Sequence, residues 1–97
     1  MPKEISLVIM IETRPGCAKQ QIEAFNNLRP IVLREEGCLQ YELNRVIDDE
    51  NKYILIEKWA SIEALKAHDI APHMIAADAK NIAFRAGPAK VFQVQAI

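Results

Sequence analysis

The segment EKWASIEALKAH, residues 57–68, carries a carboxylate, an indole and an imidazole within twelve residues. Glu57 and Trp59 are two residues apart on a predicted strand, so their side chains point to the same face of a sheet. His68 lies on the helix predicted to follow, on the same side as Ala64 and Leu65. Because that side must face the sheet, the imidazole can exchange a proton in the space between helix and sheet.

A purely structural role accounts for the same residues. A single histidine at a helix edge is most often hydrogen bonded within the core, tryptophan is by default a core residue, and Glu57 could pair with a neighbouring Lys or Arg. His73 lies five residues beyond His68 and past a proline, so the two histidines need not share a face. No ligand set at fixed spacing predicts a metal site, and no phosphate-binding loop or Ser-His-Asp pattern is present in the sequence.

Hydrophobic periodicity and turn residues divide the chain into strands and helices. The DDEN turn joins two alternating segments into a predicted β-hairpin, and Ser61 is a favourable N-cap for the helical region after it. Strands are predicted at residues 4–13, 39–47, 52–60 and 89–97, and helices at 17–35, 62–70 and 72–86. With the last two helical pieces counted together, the order is β-α-β-β-α-β, which predicts an α+β, ferredoxin-like fold.

The chain has 97 residues, enough for a single domain over residues 1–97, and 51% of them are hydrophobic. The ferredoxin-like fold covers one face of its sheet with helices. Both faces of the predicted strands are apolar here, with Val8 and Met10 on the second face of the first strand and Ile54 and Ile56 on that of the third. Leaving these side chains in water would forfeit several kcal/mol, at about 1.5–3 kcal/mol each, so a homodimer is predicted.

The charge pattern and the cysteines restrict the partners and the compartment. The 12 basic and 13 acidic residues form no basic block, so neither nucleic acid nor an acidic membrane surface is an expected partner. The apolar start of the chain is short and alternating, and it predicts neither a signal peptide nor a membrane span. Cys17 and Cys38 are expected to be reduced thiols of a cytoplasmic protein rather than a disulfide.

The runs EEGCLQYEL (35–43) and YILIEKWASIEALKAHDIAPH (53–73) resemble the antibiotic biosynthesis monooxygenase family, which includes bacterial quinol monooxygenases. The pattern is matched at Gly37, Cys38, Tyr41, Glu57, Trp59, Ala67 and His68. The resemblance implies a dimeric α/β barrel with one pocket per subunit, between helices and sheet. Haem-degrading relatives carry an asparagine near the start of the first strand. Residues 1–13 contain none, so the resemblance does not extend to haem degradation.

The function implied by this resemblance is a cofactor-independent monooxygenase, without metal or flavin, that oxidises a small quinol or polycyclic phenol with dioxygen. In that interpretation His68 is the base and Trp59 stacks on the flat substrate, while Glu57 orients His68 or a substrate hydroxyl. Further candidates for the pocket lining are Tyr41, Tyr53, Met74, Phe84 and Phe92.

Two other functions fit the same residues. An isomerase or proton-transfer enzyme acting on a small hydroxy-ketone would use His68 without oxygen. A non-catalytic dimer that binds small molecules would keep the fold without turnover. Oxygen uptake separates the first of these from the monooxygenase, and ligand binding without turnover identifies the second.

Overall fold

The computed structural model describes residues 3–97 and contains four strands and three helices. In chain order these are β1 (Ile5–Glu12), α1 (Ala18–Leu33), β2 (Cys38–Arg45), β3 (Lys52–Trp59), α2 (Ile62–Asp69), α3 (Pro72–Asn81) and β4 (Lys90–Val94). The strands form one antiparallel sheet in the order β2-β3-β1-β4. This arrangement confirms the predicted α+β, ferredoxin-like fold.

The core lies between the helices and one face of the sheet. Alternation along β1 buries Leu7, Ile9 and Ile11 on that face. The apolar stripe of α1 packs against them, with Val32 fully buried and Phe25 partly buried. The periodicity of the sequence therefore identifies the buried side of both elements, because burial of those side chains is what stabilises them.

The region after α3 differs from the prediction. The helix ends at Asn81, five residues before the predicted end at residue 86. The chain leaves the helix because its backbone pairs with the end of β1: Arg14 donates to the carbonyl of Phe84 at 2.9 Å, and Ala86 donates to that of Glu12 at 2.9 Å. These hydrogen bonds satisfy backbone groups that a longer helix would have paired internally.

Gly37, in the connection between α1 and β2, allows a close approach to α2. Its φ of +81° lies in the left-handed region, and its carbonyl accepts a hydrogen bond from the Ala60 amide at 2.7 Å. A Cβ at this position would lie 2.6 Å from the Cβ of Ala64. Only glycine lets the connection pack so closely against the first turn of α2.

The opposite face of the sheet is apolar and no helix covers it among residues 3–97. It carries Val8 and Met10 from β1, Ile54 and Ile56 from β3, and Phe92 and Val94 from β4. Phe92 pairs with Val8 and is 52% exposed. Successive residues of a strand alternate between faces, so Phe92 points away from the helices and the prediction that it lines a pocket there is wrong.

Two further features concern the cysteines and the helix lengths. Cys17 and Cys38 are free thiols. Within the described range, 3–97, no helix combines the length and the apolar composition needed to cross a bilayer.

Candidate active site

The helix α2 directs His68 into the core. Ser61 caps the helix, its side chain accepting a hydrogen bond from the Ala64 amide at 3.2 Å. Leu65 and His68 are three residues apart and share the buried face, where His68 is only 2% exposed. The predicted orientation of His68 toward the sheet is confirmed.

Glu57 and Trp59 share one face of β3, as predicted, and that face is the one toward the helices. Glu57 is buried and pairs directly with Tyr41 of β2. The indole Nε1 of Trp59 donates to Glu57 Oε1 at 2.9 Å, and the indole packs against the His68 imidazole with 4.5 Å between ring centroids. Burial raises the pKa of the Glu57 carboxyl, and the Trp59 hydrogen bond and the nearby imidazole only partly offset that shift.

Carboxylates face both nitrogens of the His68 imidazole. Glu35 Oε2 lies 2.8 Å from Nδ1, within hydrogen-bond distance, whereas Glu57 Oε1 lies 3.8 Å from Nε2. When Glu35 is ionised, the ring proton lies on Nδ1 and the N–H donates a hydrogen bond to the carboxylate. Nε2 is then left with a lone pair that can accept a proton.

Glu35 was not predicted as a site residue. The sequence placed it at the end of the predicted helix 17–35, whereas α1 ends at Leu33 and Glu35 lies in the turn before Gly37. The turn is held by hydrogen bonds from the Glu35 amide to the Val32 carbonyl and from the Cys38 amide to the Glu35 carbonyl. Since Gly37 packs this turn against α2, the Glu35 side chain reaches His68.

His73 contacts the same carboxylate. Its Nε2 lies 2.9 Å from Glu35 Oε2. The expectation that the two histidines need not share a face did not predict this meeting, which depends on the short link between α2 and α3. There the Ala71 amide donates to the His68 carbonyl at 3.1 Å, and α3 begins at Pro72. The donor atoms of Glu35, His68 and His73 lie within 4.8 Å of one another and could hold a metal ion.

A cavity of about 180 Å³ lies between the sheet, α1 and α3. Apolar side chains, most of them from β1, β3 and α1, form slightly more than half of its wall. Polar side chains form the rest: Gln21, Tyr41, Glu57, His68, Asp69, Asp78, Asn81 and Arg85. It adjoins a groove of about 470 Å³, which runs past Arg14 and Ile82. Both spaces are bordered by Asp78, Asn81, Arg85 and Ala89, so the groove is the natural approach to the cavity.

A cationic side chain lies where the cavity meets the groove. Arg85 Nε donates to Gln21 Oε1 at 3.1 Å. Burial lowers the pKa of Arg85, and the Asp78 carboxylate opposes that shift. Neither residue was predicted from the sequence, although the position of Gln21 gave a signal: it is three residues after Ala18 and four before Phe25, so it is a polar residue on an apolar stripe.

The cavity is also lined by the neutral side chain of Tyr41. Burial raises the pKa of Tyr41, and the adjacent Glu57 carboxylate raises it further. Tyr41 therefore keeps its hydroxyl proton at neutral pH and can donate it to a bound oxygen atom.

The eight residues predicted for the site have different outcomes. Those that line the cavity are Tyr41, Glu57, His68 and Met74. Trp59 has no exposed surface and does not border the cavity, so the predicted stacking on substrate does not fit its position. Tyr53 is buried at the other end of β3, where its hydroxyl donates to the Glu50 carbonyl at 3.1 Å. Phe84 is buried after α3 and also lies outside the lining, and Phe92 is on the other face.

The sequence is similar to those of known proteins. The sequence profile described as antibiotic biosynthesis monooxygenase matches residues 4–80. The chain is 33% identical over 82 residues to the probable quinol monooxygenase YgiN of Escherichia coli strain K12, covering 72% of this chain and 77% of that protein.

Solved structures agree with this result. The crystal structure of PA3566 from Pseudomonas aeruginosa superposes with a TM-score of 0.90 at 27% identity, covering 100% of this chain and 97% of that one. Rv0793 from Mycobacterium tuberculosis has the same fold, with a TM-score of 0.89 at 20% identity over 98% of this chain and 96% of the other. The chain belongs to the antibiotic biosynthesis monooxygenase family.

Proposed function

We propose that this protein is a cofactor-independent monooxygenase that oxidises a small quinol or polycyclic phenol with dioxygen. The observation that carries the proposal is the environment of His68: Glu35 Oε2 lies 2.8 Å from Nδ1, while the imidazole borders a cavity lined by both apolar and polar side chains. The 33% identity to a protein named as a probable quinol monooxygenase supports the same class of substrate.

The first step in this proposal is removal of a proton from a substrate hydroxyl. His68 Nε2 is the acceptor, because the Nδ1 proton is engaged with Glu35. Glu35 then stabilises the imidazolium that forms, as the carboxylate of a catalytic triad does. The resulting phenolate or hydroquinone anion is electron-rich, and a substrate bound in the cavity would displace water from it.

The second step is electron transfer to dioxygen. The anion passes one electron to dioxygen, and the substrate radical and superoxide combine to form a C–O bond. Protonation of the peroxide by the His68 imidazolium and loss of water leave one oxygen atom on the substrate. In the net change the substrate loses two hydrogen atoms, one from the attacked ring carbon and one from the ionised hydroxyl, and that carbon gains a doubly bonded oxygen. The two hydrogens leave with the second oxygen atom as water. The substrate supplies all the electrons, so the protein needs to supply only acid, base and orientation.

Other cavity residues have roles that follow from their charge. Arg85 is the cation nearest the cavity and would stabilise the phenolate or the peroxide anion. The neutral Tyr41 hydroxyl would donate to a second substrate oxygen. Glu57, fixed by the Trp59 indole, would orient a substrate hydroxyl toward His68.

The size of the cavity indicates the size of the substrate. Its volume of about 180 Å³ exceeds the ~150 Å³ of an engineered cavity that binds benzene. One aromatic ring therefore fits inside, and the rest of a two- or three-ring substrate would extend into the groove beside Arg85.

Oxygen uptake tests the proposal directly. Metal-free protein is mixed with a panel of reduced naphthoquinones and anthrone-type phenols, and dioxygen is followed with an electrode. We expect uptake above the autoxidation rate measured with superoxide dismutase and catalase present. With ¹⁸O₂, a monooxygenase places one labelled atom in the product and the other in water.

Two results would contradict this function. Uptake that leaves the product unlabelled indicates an oxidase. No uptake beyond autoxidation by folded protein favours proton transfer on a hydroxy-ketone or ligand binding without turnover. Solvent-deuterium incorporation into hydroxy-ketones and a thermal-shift ligand screen then separate those two functions.

We also propose that the protein is a homodimer in which the apolar faces of two sheets pack together. The face carries Met10, Ile56 and Phe92, and the helices do not cover it among residues 3–97. Burial of a large apolar side chain is worth about 1.5–3 kcal/mol, so several such residues on each subunit favour association.

Two free thiols are also consistent with the proposed cytoplasmic location.

Light scattering coupled to gel filtration tests the dimer. We expect a mass of about 22 kDa, twice the 11.0 kDa of one chain, at micromolar concentration. Phe92→Glu should shift the mass toward 11.0 kDa, because a buried unpaired carboxylate is strongly unfavourable. Ile75→Glu is the matched control: Ile75 is also exposed and apolar, but it lies on α3. The proposal would be contradicted if the wild type were monomeric, or if both variants lost the dimer to the same extent.

A further inference from the structure

We propose that Glu35, His68 and His73 form a binding site for one divalent transition-metal ion of the zinc type. Neither the family profile nor the relatives' names assign such a site, and the sequence spacing did not predict it. The donor set is two imidazole nitrogens and one carboxylate oxygen, the ligands that Zn²⁺ takes in sites that keep a fourth position for water.

The distances match such a site. Glu35 Oε2 lies 2.8 Å from His68 Nδ1 and 2.9 Å from His73 Nε2. Ligands at ~2.0–2.1 Å from a tetrahedral zinc ion are separated from one another by about 3.3 Å. Each carboxylate–imidazole contact must lengthen by about half an ångström to admit the ion. The two imidazole nitrogens, which lie within 4.8 Å of each other, must take up a similar separation.

Separate elements hold the three ligands in place. His68 is fixed in the buried face of α2, and His73 lies in the first turn of α3. Glu35 is held by the turn that Gly37 packs against Ala64. Because the folded chain already brings the donors together, little conformational entropy is lost when an ion binds.

The surroundings of His68 supply an independent argument. A histidine that ligates a metal usually donates its other ring N–H to a carboxylate. Glu57 Oε1 lies 3.8 Å from His68 Nε2, on the side of the ring away from Glu35, and is positioned to become that acceptor. The two carboxylates thus suit both forms of the ring, the metal-free form with the proton on Nδ1 and the metal-bound form with the proton on Nε2.

The ion can enter from solvent. The His73 side chain is 25% exposed and the Glu35 side chain 15%, whereas His68 is enclosed. Access is therefore from the side of His73, which does not line the cavity. One or two waters can complete the coordination shell.

Metal binding has a consequence for the proposed reaction, and this part rests on the proposed function. A neutral imidazole carries one ring proton. When Nδ1 binds the ion, that proton must be on Nε2, so His68 can no longer accept a proton from substrate. Zinc should therefore inhibit oxygen uptake.

Calorimetry tests the site without reference to activity. Chelator-treated protein is titrated with ZnCl₂, and Co²⁺ is used as a spectroscopic probe of tetrahedral coordination. We expect one ion per chain, with affinity at least ~10-fold weaker in Glu35→Gln and in His73→Ala, since each loses a ligand. Glu36→Gln, which removes an adjacent exposed carboxylate, is the matched control and should bind as the wild type does.

The outcomes separate the site from the proposed function. Absence of stoichiometric binding, or binding that both variants retain, overturns the site. If uptake is found, zinc should suppress it in the wild type at concentrations that leave His73→Ala active. Zinc binding without inhibition of oxygen uptake would contradict the role of His68 Nε2 as the proton acceptor. If no substrate is oxidised, the calorimetry still decides whether the site exists.

Discussion

His68→Gln is expected to slow oxygen uptake about 10²–10⁴-fold, the usual contribution of a general base. The substitution keeps a polar side chain of similar reach but removes the nitrogen that accepts the proton. The loss should fall mainly on kcat, because the apolar walls that bind the substrate are unchanged. The assay uses metal-free protein and a substrate identified in the panel, so that the result reports on the base alone.

His73→Gln is the matched comparison for this experiment. It makes the same substitution at the other imidazole on Glu35 Oε2, outside the cavity lining. We expect a much smaller loss than with His68→Gln. Activity of His68→Gln within about threefold of the wild type would show that another group takes the proton. Glu57 would then be the first candidate, because burial raises its pKa and it borders the same cavity.

Trp59→Ala is expected to reduce the free energy of unfolding by about 3–5 kcal/mol. Trp59 has no exposed surface, so the substitution leaves a large space beside His68 and removes the donor to Glu57. A domain of this size has a total stability of only about 5–15 kcal/mol. Urea unfolding of metal-free protein at a fixed chain concentration measures the change.

Trp59→Phe separates the hydrogen bond from the packing. Phe retains most of the ring but cannot donate, and loss of a hydrogen bond to a charged group costs about 1.5–3 kcal/mol. In a Glu57→Gln background the same substitution should cost less, because the acceptor no longer carries charge. If Trp59→Phe cost the same stability in the wild type and in Glu57→Gln, the assigned hydrogen bond between Trp59 and Glu57 would be contradicted. A loss of stability below about 1 kcal/mol for Trp59→Ala would contradict the role of Trp59 in the core.

The fold was predictable because local patterns agree with one another. The period-two alternation of β1 and the apolar stripe of α1 each identify a buried face. In a β-α-β-β-α-β chain, only one face of the sheet can pack against the helices. The early end of α3 was not predictable in the same way. It depends on hydrogen bonds between residues far apart in the sequence, such as the one from the Ala86 amide to the Glu12 carbonyl.

The sequence by itself determined the element order, the inward direction of His68 and the shared face of Glu57 and Trp59, because helical and strand periods fix the direction of each side chain. Only the tertiary structure decided which of these residues meet. His68 and His73 both contact Glu35, brought there by two connections between elements, and Arg85 reaches Gln21 across 64 positions of sequence. The tertiary structure also separates Trp59 from the cavity. Contacts of this kind depend on how elements pack, and no local period encodes that packing.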